Sequence, residues 1–177
     1  MQDYKKLGIL LYFYNYFCMS EISEEVKIRD LKPYNVLVAC FLAGFRENGV
    51  LNFGILRGVA ENTGRKIYEA YSDGVPKDPK SAAEWLLAKL EISKDSHVVI
   101  DGSNVRIRIK SRFCRYCPKG VGGLELPGVL CPFPGLFKGF LEGATGIELA
   151  YPQNGLYRDE EKYCNIILSF KEPSEQK

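Results

Sequence analysis

Residues 98–110 read V-V-I-D-G-S-N-V-R-I-R-I-K. Two apolar or alternating runs, Val98 to Ile100 and Val105 to Ile109, flank Asp101-Gly102-Ser103-Asn104, which has the composition of a hairpin connection. Residues 1–20 are apolar and aromatic and fit either helix or strand, but from Pro33 the pattern is helical, so the period changes here from about 3.6 to 2. Helices first and antiparallel strands later make the chain α+β, with N-terminal helices packed on an antiparallel sheet.

Upstream, Val36 to Phe45 carries no charge and follows Pro33, which opens a helix closed by Arg46, Glu47, Asn48 and Gly49. A helix apolar on all sides is either central to the core or covered by a partner subunit. A second helix is expected from about Phe53 to Tyr71, with Leu56, Val59, Ala60, Ile67 and Tyr71 on one stripe. Gly58 and Gly64 within it mark close packing. A short helix bearing Trp85, Leu86 and Leu90 runs to about Ile92. Downstream of the hairpin, Pro134 to Ala144 reads as a helix whose Gly135, Gly139 and Gly143 share a face, the signature of close approach to another element. Ile147–Tyr151 and Tyr163–Phe170 are the last expected strands, around a turn at Gln153-Asn154-Gly155. The division is therefore an N-terminal apolar extension (1–32), one domain (33–171) and a tail (172–177).

Composition bounds the class. At 177 residues the chain can bury a full core without staples, and a net charge of +2 does not by itself imply nucleic acid or membrane. Lys5 and Lys6 precede an apolar stretch, Leu7 to Met19, of signal-peptide length. It is rich in tyrosine and phenylalanine and no small-x-small site follows, so it reads as an element of the mature fold. No run reaches the ~18 apolar residues that a membrane helix needs.

Six cysteines and one histidine, His97, then set the chemistry. Cys114-Arg-Tyr-Cys117 is a C-x-x-C pair, Cys131 returns after a glycine-rich loop, and Cys164 lies on the last expected strand. Two residues between thiolates let a turn aim both at one ion, and soft sulfur suits zinc or iron. Cys114, Cys117, Cys131 and Cys164 are the candidate metal ligands, with structural zinc as the first reading and an iron–sulfur cluster as the alternative. Prolines after Cys117 and Cys131 favour the cluster, while the spacing is not that of a ferredoxin. Cys18 and Cys40 read as small buried hydrophobes. Closely spaced cysteines in a chain of this size point to a reducing, cytoplasmic compartment. Arg106, Arg108, Lys110 and Arg112 alternate along one strand, a basic ladder that either binds phosphate or is balanced by acids elsewhere; the balanced reading carries more weight. Asp159, Glu160 and Glu161 read as a solvated turn. One histidine excludes histidine-dependent triads and multi-histidine metal sites, and no P-loop, dinucleotide fingerprint or Gly-x-Ser-x-Gly is present.

The order of motifs resembles the archaeal branch of the 4-vinyl reductase domain family, of the hydrocarbon-binding type. The residues that carry it are L-R-G-V-A-E-N-T-G-R-K-I at 56–67, W-L-L-A-K-L-E-I at 85–92 and S-R-F-C-R-Y-C-P at 111–118. C-P-F-P-G-L-F-K-G-F-L-E-G at 131–143 and the cysteine-bearing strand at 162–170 complete it. The resemblance implies a fold shared with ligand-binding domains of nitric-oxide signalling and Golgi transport, a small apolar ligand, and a homodimer. Phe41, Phe45, Phe137 and Phe140 are the candidate pocket aromatics. The sequence-level expectation is thus a zinc-stabilised, non-catalytic domain that binds or senses a small apolar molecule. The alternatives are a vinyl-group reductase component acting on a tetrapyrrole-like substrate with an iron–sulfur site, and a nucleic-acid-binding module using strand 106–112.

Overall fold

A computed structural model describes residues 24–171. The apolar stretch Leu7–Met19, most of the proposed N-terminal extension, Cys18 and the proposed tail lie outside the described residues. Residues 24–29 are helical, and three longer helices follow: α1 (Pro33–Glu47), α2 (Phe53–Tyr71) and α3 (Pro79–Lys89). Strands β1 (Ser96–Asp101) and β2 (Asn104–Lys110) follow, then α4 (Phe133–Thr145), β3 (Leu149–Ala150), β4 (Leu156–Arg158) and β5 (Tyr163–Phe170). The chain is α+β, with the N-terminal helices followed by an antiparallel sheet.

Local chemistry sets the helix starts. Asn52 caps α2 by accepting a hydrogen bond from the Ile55 N–H at 2.9 Å, and Asp78 caps α3 by accepting from Ser81 N–H at 2.9 Å. Pro33 and Pro79 occupy first-turn positions where no donor is lost. Gly146 ends α4 in the left-handed region (φ 70°), where its N–H reaches the Glu142 carbonyl.

The strands run in the order β1-β2-β5-β3, every pairing antiparallel, and β4 joins β5 on the same edge as β3. The expected hairpin joins β1 to β2 with Asp101 opposite Asn104, and Gly102 supplies the positive φ (56°) of its two-residue loop. Alternation then sorts the faces. Val105, Ile107 and Ile109 of β2 and Ile166 and Leu168 of β5 are fully or almost fully buried. Ile109 stands opposite Cys164 in register, which puts that cysteine on the core face of the sheet.

Helix α4 covers this face with Phe137, Phe140 and Leu141, none of which retains measurable exposure. Its other side meets α2 through glycines. A Cβ at Gly135 would lie 2.6 Å from the Arg57 carbonyl oxygen; one at Gly139 would collide with the Glu61 carbonyl, and one at Gly64 with the Leu136 carbonyl. Two backbones therefore touch where a side chain would have held them apart. The expected close approach at Gly135 and Gly139 is to α2. Gly64 serves the same contact, whereas Gly58 faces open space.

Helices and strands fall close to the sequence expectations, with two departures. The strand expected at Ile147–Tyr151 shrinks to Leu149–Ala150, and β4 arises within the turn region. Helix α1 is not central to the core. Only Asn35, Ala39 and Ala43 are buried, on one face against Gly122, Leu124 and Leu130 of the cysteine loop.

The α2–α4 contact yields a prediction. Gly139→Ala inserts a methyl where only backbone fits and is expected to cost at least about 2 kcal/mol. Gly58→Ala, in open space, should be neutral or slightly stabilising. Urea unfolding of the two variants checks the contrast.

Candidate functional site

The three chain segments that carry the candidate ligands converge on one cavity. After β2, a single 3₁₀ turn (Ser111–Phe113) delivers Cys114; the loop supplies Cys117; Cys131 immediately precedes α4; and Cys164 comes from the core face of β5. All four thiols line a cavity of about 330 Å³, walled otherwise by apolar groups such as Ile109, Leu130, Phe133 and Ile166. None of the four cysteines forms a disulfide.

Three features in and around the cavity would favour thiolate over thiol there. First, Gly120 N–H donates to Cys117 Sγ at 3.4 Å, and the backbone N–H groups of Tyr116 and Phe133 lie beside the Cys114 and Cys131 sulfurs, where they favour the thiolate. The last of these is the first N–H of α4, so the positive end of that helix faces Cys131. Second, the charged groups at the wall are Lys119 and Arg158, with no carboxylate among the lining residues; Arg158 lies opposite Cys164 in register, and its charge favours the thiolate there. Third, Arg29 is 6% exposed and its Nη1 donates to the carbonyls of Ser111 (2.8 Å) and Cys114 (2.7 Å), pinning the turn that presents Cys114. Glu25 pairs with the same guanidinium.

Burial pushes Cys114 up to about 12, helped by the neighbouring Cys117, and burial likewise raises Cys131 and Cys164, so without a cation these three thiols stay neutral. Neutral thiols gain nothing by converging. Consistent with that, among the described residues no three histidine, cysteine or acidic side chains stand close enough to hold an ion as placed. A ZnS₄ tetrahedron would need its sulfurs ~3.8 Å apart, a closer grouping than the one seen here.

The remaining candidates fall elsewhere. Phe137 and Phe140 are core residues packed on the sheet, and Phe41 and Phe45 stack on each other (5.8 Å) on the exposed face of α1. None of the four lines the thiol cavity. A separate apolar groove of about 270 Å³ between α1, α2 and α4 is lined by Val38, Leu56, Val59 and Phe133 among others, and not by the four aromatics. Cys40 is exposed on α1, where a buried residue was expected. Three of the four cations of the basic ladder have partners, while Arg112 falls beyond the strand on the 3₁₀ turn. Arg106 pairs with Asp101 (2.9 Å), Arg108 with Asp159 and Glu161 (both 2.9 Å), and Lys110 donates to the Glu161 carbonyl. Asp159 is therefore part of a network rather than a solvated turn. Donation from Asn165, Tyr163 N–H and Arg108 holds it down to about 2. Arg108 and Lys110 also project from the sheet face opposite Cys164, so the cations near sulfur are Arg29, Lys119 and Arg158. Of these, sequence proximity pointed only to Lys119.

An α+β domain with four thiols around one cavity is the class that fold and site define. The chain belongs to the MJ0207 family, whose model matches residues 49–170, from just before α2 to the end of β5, and so spans all four cysteines. It is similar to the uncharacterized protein MJ1342 of Methanocaldococcus jannaschii, 32% identical over 85 residues, which cover 46% of this chain and 71% of that protein. It is also similar to the uncharacterized protein MJ0207 of the same organism, 30% identical over 82 residues, covering 44% of this chain and 49% of that one. The match thus spans about half the length of MJ0207. This corrects the resemblance to the 4-vinyl reductase domain, since the segment that carried it is matched by a different family. Its motifs have local causes here: Gly64, Gly135 and Gly139 are spacing residues between two helices, and the cysteines line a cavity. Such needs recur across unrelated folds.

The thiol shifts set a pH dependence. Cys114 titrates near 9.0 when unfolded and near 12 when buried without metal. The native state thus binds more protons in that window, and the metal-free protein should lose stability as pH rises from about 9 toward 12. Melting curves of chelator-treated protein across that range check the sign; a flat or rising Tm contradicts it.

Proposed function

We propose that Cys114, Cys117, Cys131 and Cys164 bind one metal ion as thiolates, with zinc the first reading, in a structural rather than catalytic role. The observation that supports it most is that the 111–117 turn, the residue preceding α4 and strand β5 bring four of the described cysteines to one cavity whose charged lining residues are cations, with no carboxylate among them. A ZnS₄ centre carries net charge −2, which Arg29, Arg158, Lys119 and the α4 N-terminus would offset. Bound there, the metal would tie the 111–131 loop and the start of α4 to β5. The donor set, four soft sulfurs and no histidine, leaves no ligand position set aside for water. Such reduced thiols fit a reducing, cytoplasmic compartment. Among the described residues no helix is long and apolar enough to cross a membrane, and the assembly proposed is a homodimer.

A second reading of the same cavity has a specific observation in its favour. Its volume of about 330 Å³ and the spread of its sulfurs exceed what a lone zinc needs and suit the wider iron–sulfur cluster. The apolar wall also leaves room for a small apolar molecule beside a bound ion.

Elemental analysis and native mass spectrometry of the full chain separate these outcomes. One zinc per chain in colourless protein is expected. Iron with acid-labile sulfide in brown protein would establish the cluster instead, and metal-free protein refractory to both would reject the centre. Cys131→Ser should lose the metal and lower Tm by on the order of 10 °C. An unchanged metal content and melting temperature would remove Cys131 from the site.

A further inference from the structure

Among the described residues, helix α1 is attached by one side only. Ala39 and Ala43 press on the cysteine loop, while the opposite side turns Tyr34, Leu37, Phe41 and Phe45 outward. Ile55 and Val59 of α2 continue this surface across the groove between the two helices, since Val38 and Val59 both line that groove. These six side chains are between 47% and 59% exposed. Together with the groove walls they offer an area on the order of the ~800 Å² that a standard interface takes from each partner.

We infer that this α1–α2 face is the contact through which a second copy of the chain docks, related by a two-fold axis. Three observations select a second copy over another occupant. Residues 34–45 carry no charge, so an isologous contact centred on α1 brings no charge against its own copy. The surface holds both a knob, the stacked Phe41–Phe45 pair, and a hole, the apolar groove of about 270 Å³ beside it. A two-fold contact needs both on one chain, because each copy must present what the other receives. Finally, among the described residues nothing covers the apolar outer side of the helix, and an apolar patch of this extent is characteristic of a covered surface. The inference deepens the homodimer proposed above and is independent of the metal.

Sedimentation velocity on the full chain at micromolar concentration tests it. The wild type is expected at twice the chain mass and Phe41→Asp at the chain mass, with metal content and far-ultraviolet circular dichroism unchanged. Should Phe41→Asp unfold, Val59→Asp reads the same surface from α2. Val99→Asp, on an exposed strand position away from this face, should remain dimeric. A monomeric wild type overturns both the dimer and its surface. A dimer that survives both α1 and α2 substitutions overturns the surface alone. A dimer without metal leaves this inference standing and sinks the metal centre.

Discussion

The backbone contact between α2 and α4 is the constraint on which the rest depends. Gly64, Gly135 and Gly139 let the two helices meet without intervening side chains, and that fixes the height of α4 above the sheet. From there, one face of α4 drives Phe137, Phe140 and Leu141 into the sheet while its N-terminus brings the Phe133 N–H to Cys131. Because β5 lies beneath the same helix, Cys131 and Cys164 end on the wall of one cavity. A polar ring secures the outer end of the contact. Glu61 on α2 accepts from Tyr151 (2.6 Å) and pairs with Lys138, which also pairs with Glu142.

The cysteine loop has a second attachment, and it runs through cations rather than packing. Arg115 donates to the Arg29 and Glu91 carbonyls and to the carboxylates of Asp30 and Glu91, while Arg29 holds the Ser111 and Cys114 carbonyls from the other side. These bonds satisfy backbone acceptors that an irregular loop would otherwise leave unpaired. They also tie helical residues 24–29 and α1 to the segment presenting Cys114. A metal drawing the four sulfurs inward would therefore act on α1 through the loop, since Ala39 rests against Gly122.

Much of the fold was legible in the sequence because its elements are long and periodic. Phe53–Tyr71 and Tyr163–Phe170 have the bounds that apolar spacing suggests, and the hairpin follows from Asp101-Gly102-Ser103-Asn104. β4 was not legible: Leu156–Arg158 has no pattern of its own and exists only because β5 offers a free edge. The four cysteines could be grouped by spacing and strand parity, but Arg29 could not, because its contacts with Ser111 and Cys114 cross more than eighty positions. Pocket aromatics were the weakest inference. Phe137 and Phe140 are what a helix buries on a sheet, and a helical stripe looks the same in sequence whether it lines a core or a cavity. The family resemblance failed for a related reason, since glycine spacing and cysteine pairs report packing and coordination needs rather than descent.

The central claim is that the four thiols surround one ion. X-ray absorption at the metal edge of protein purified without added metal tests it most directly. The account predicts a first shell of four sulfurs at about 2.3 Å around zinc. A shell dominated by nitrogen or oxygen, or a metal that Cys131→Ser and Cys164→Ser leave in place, would contradict it.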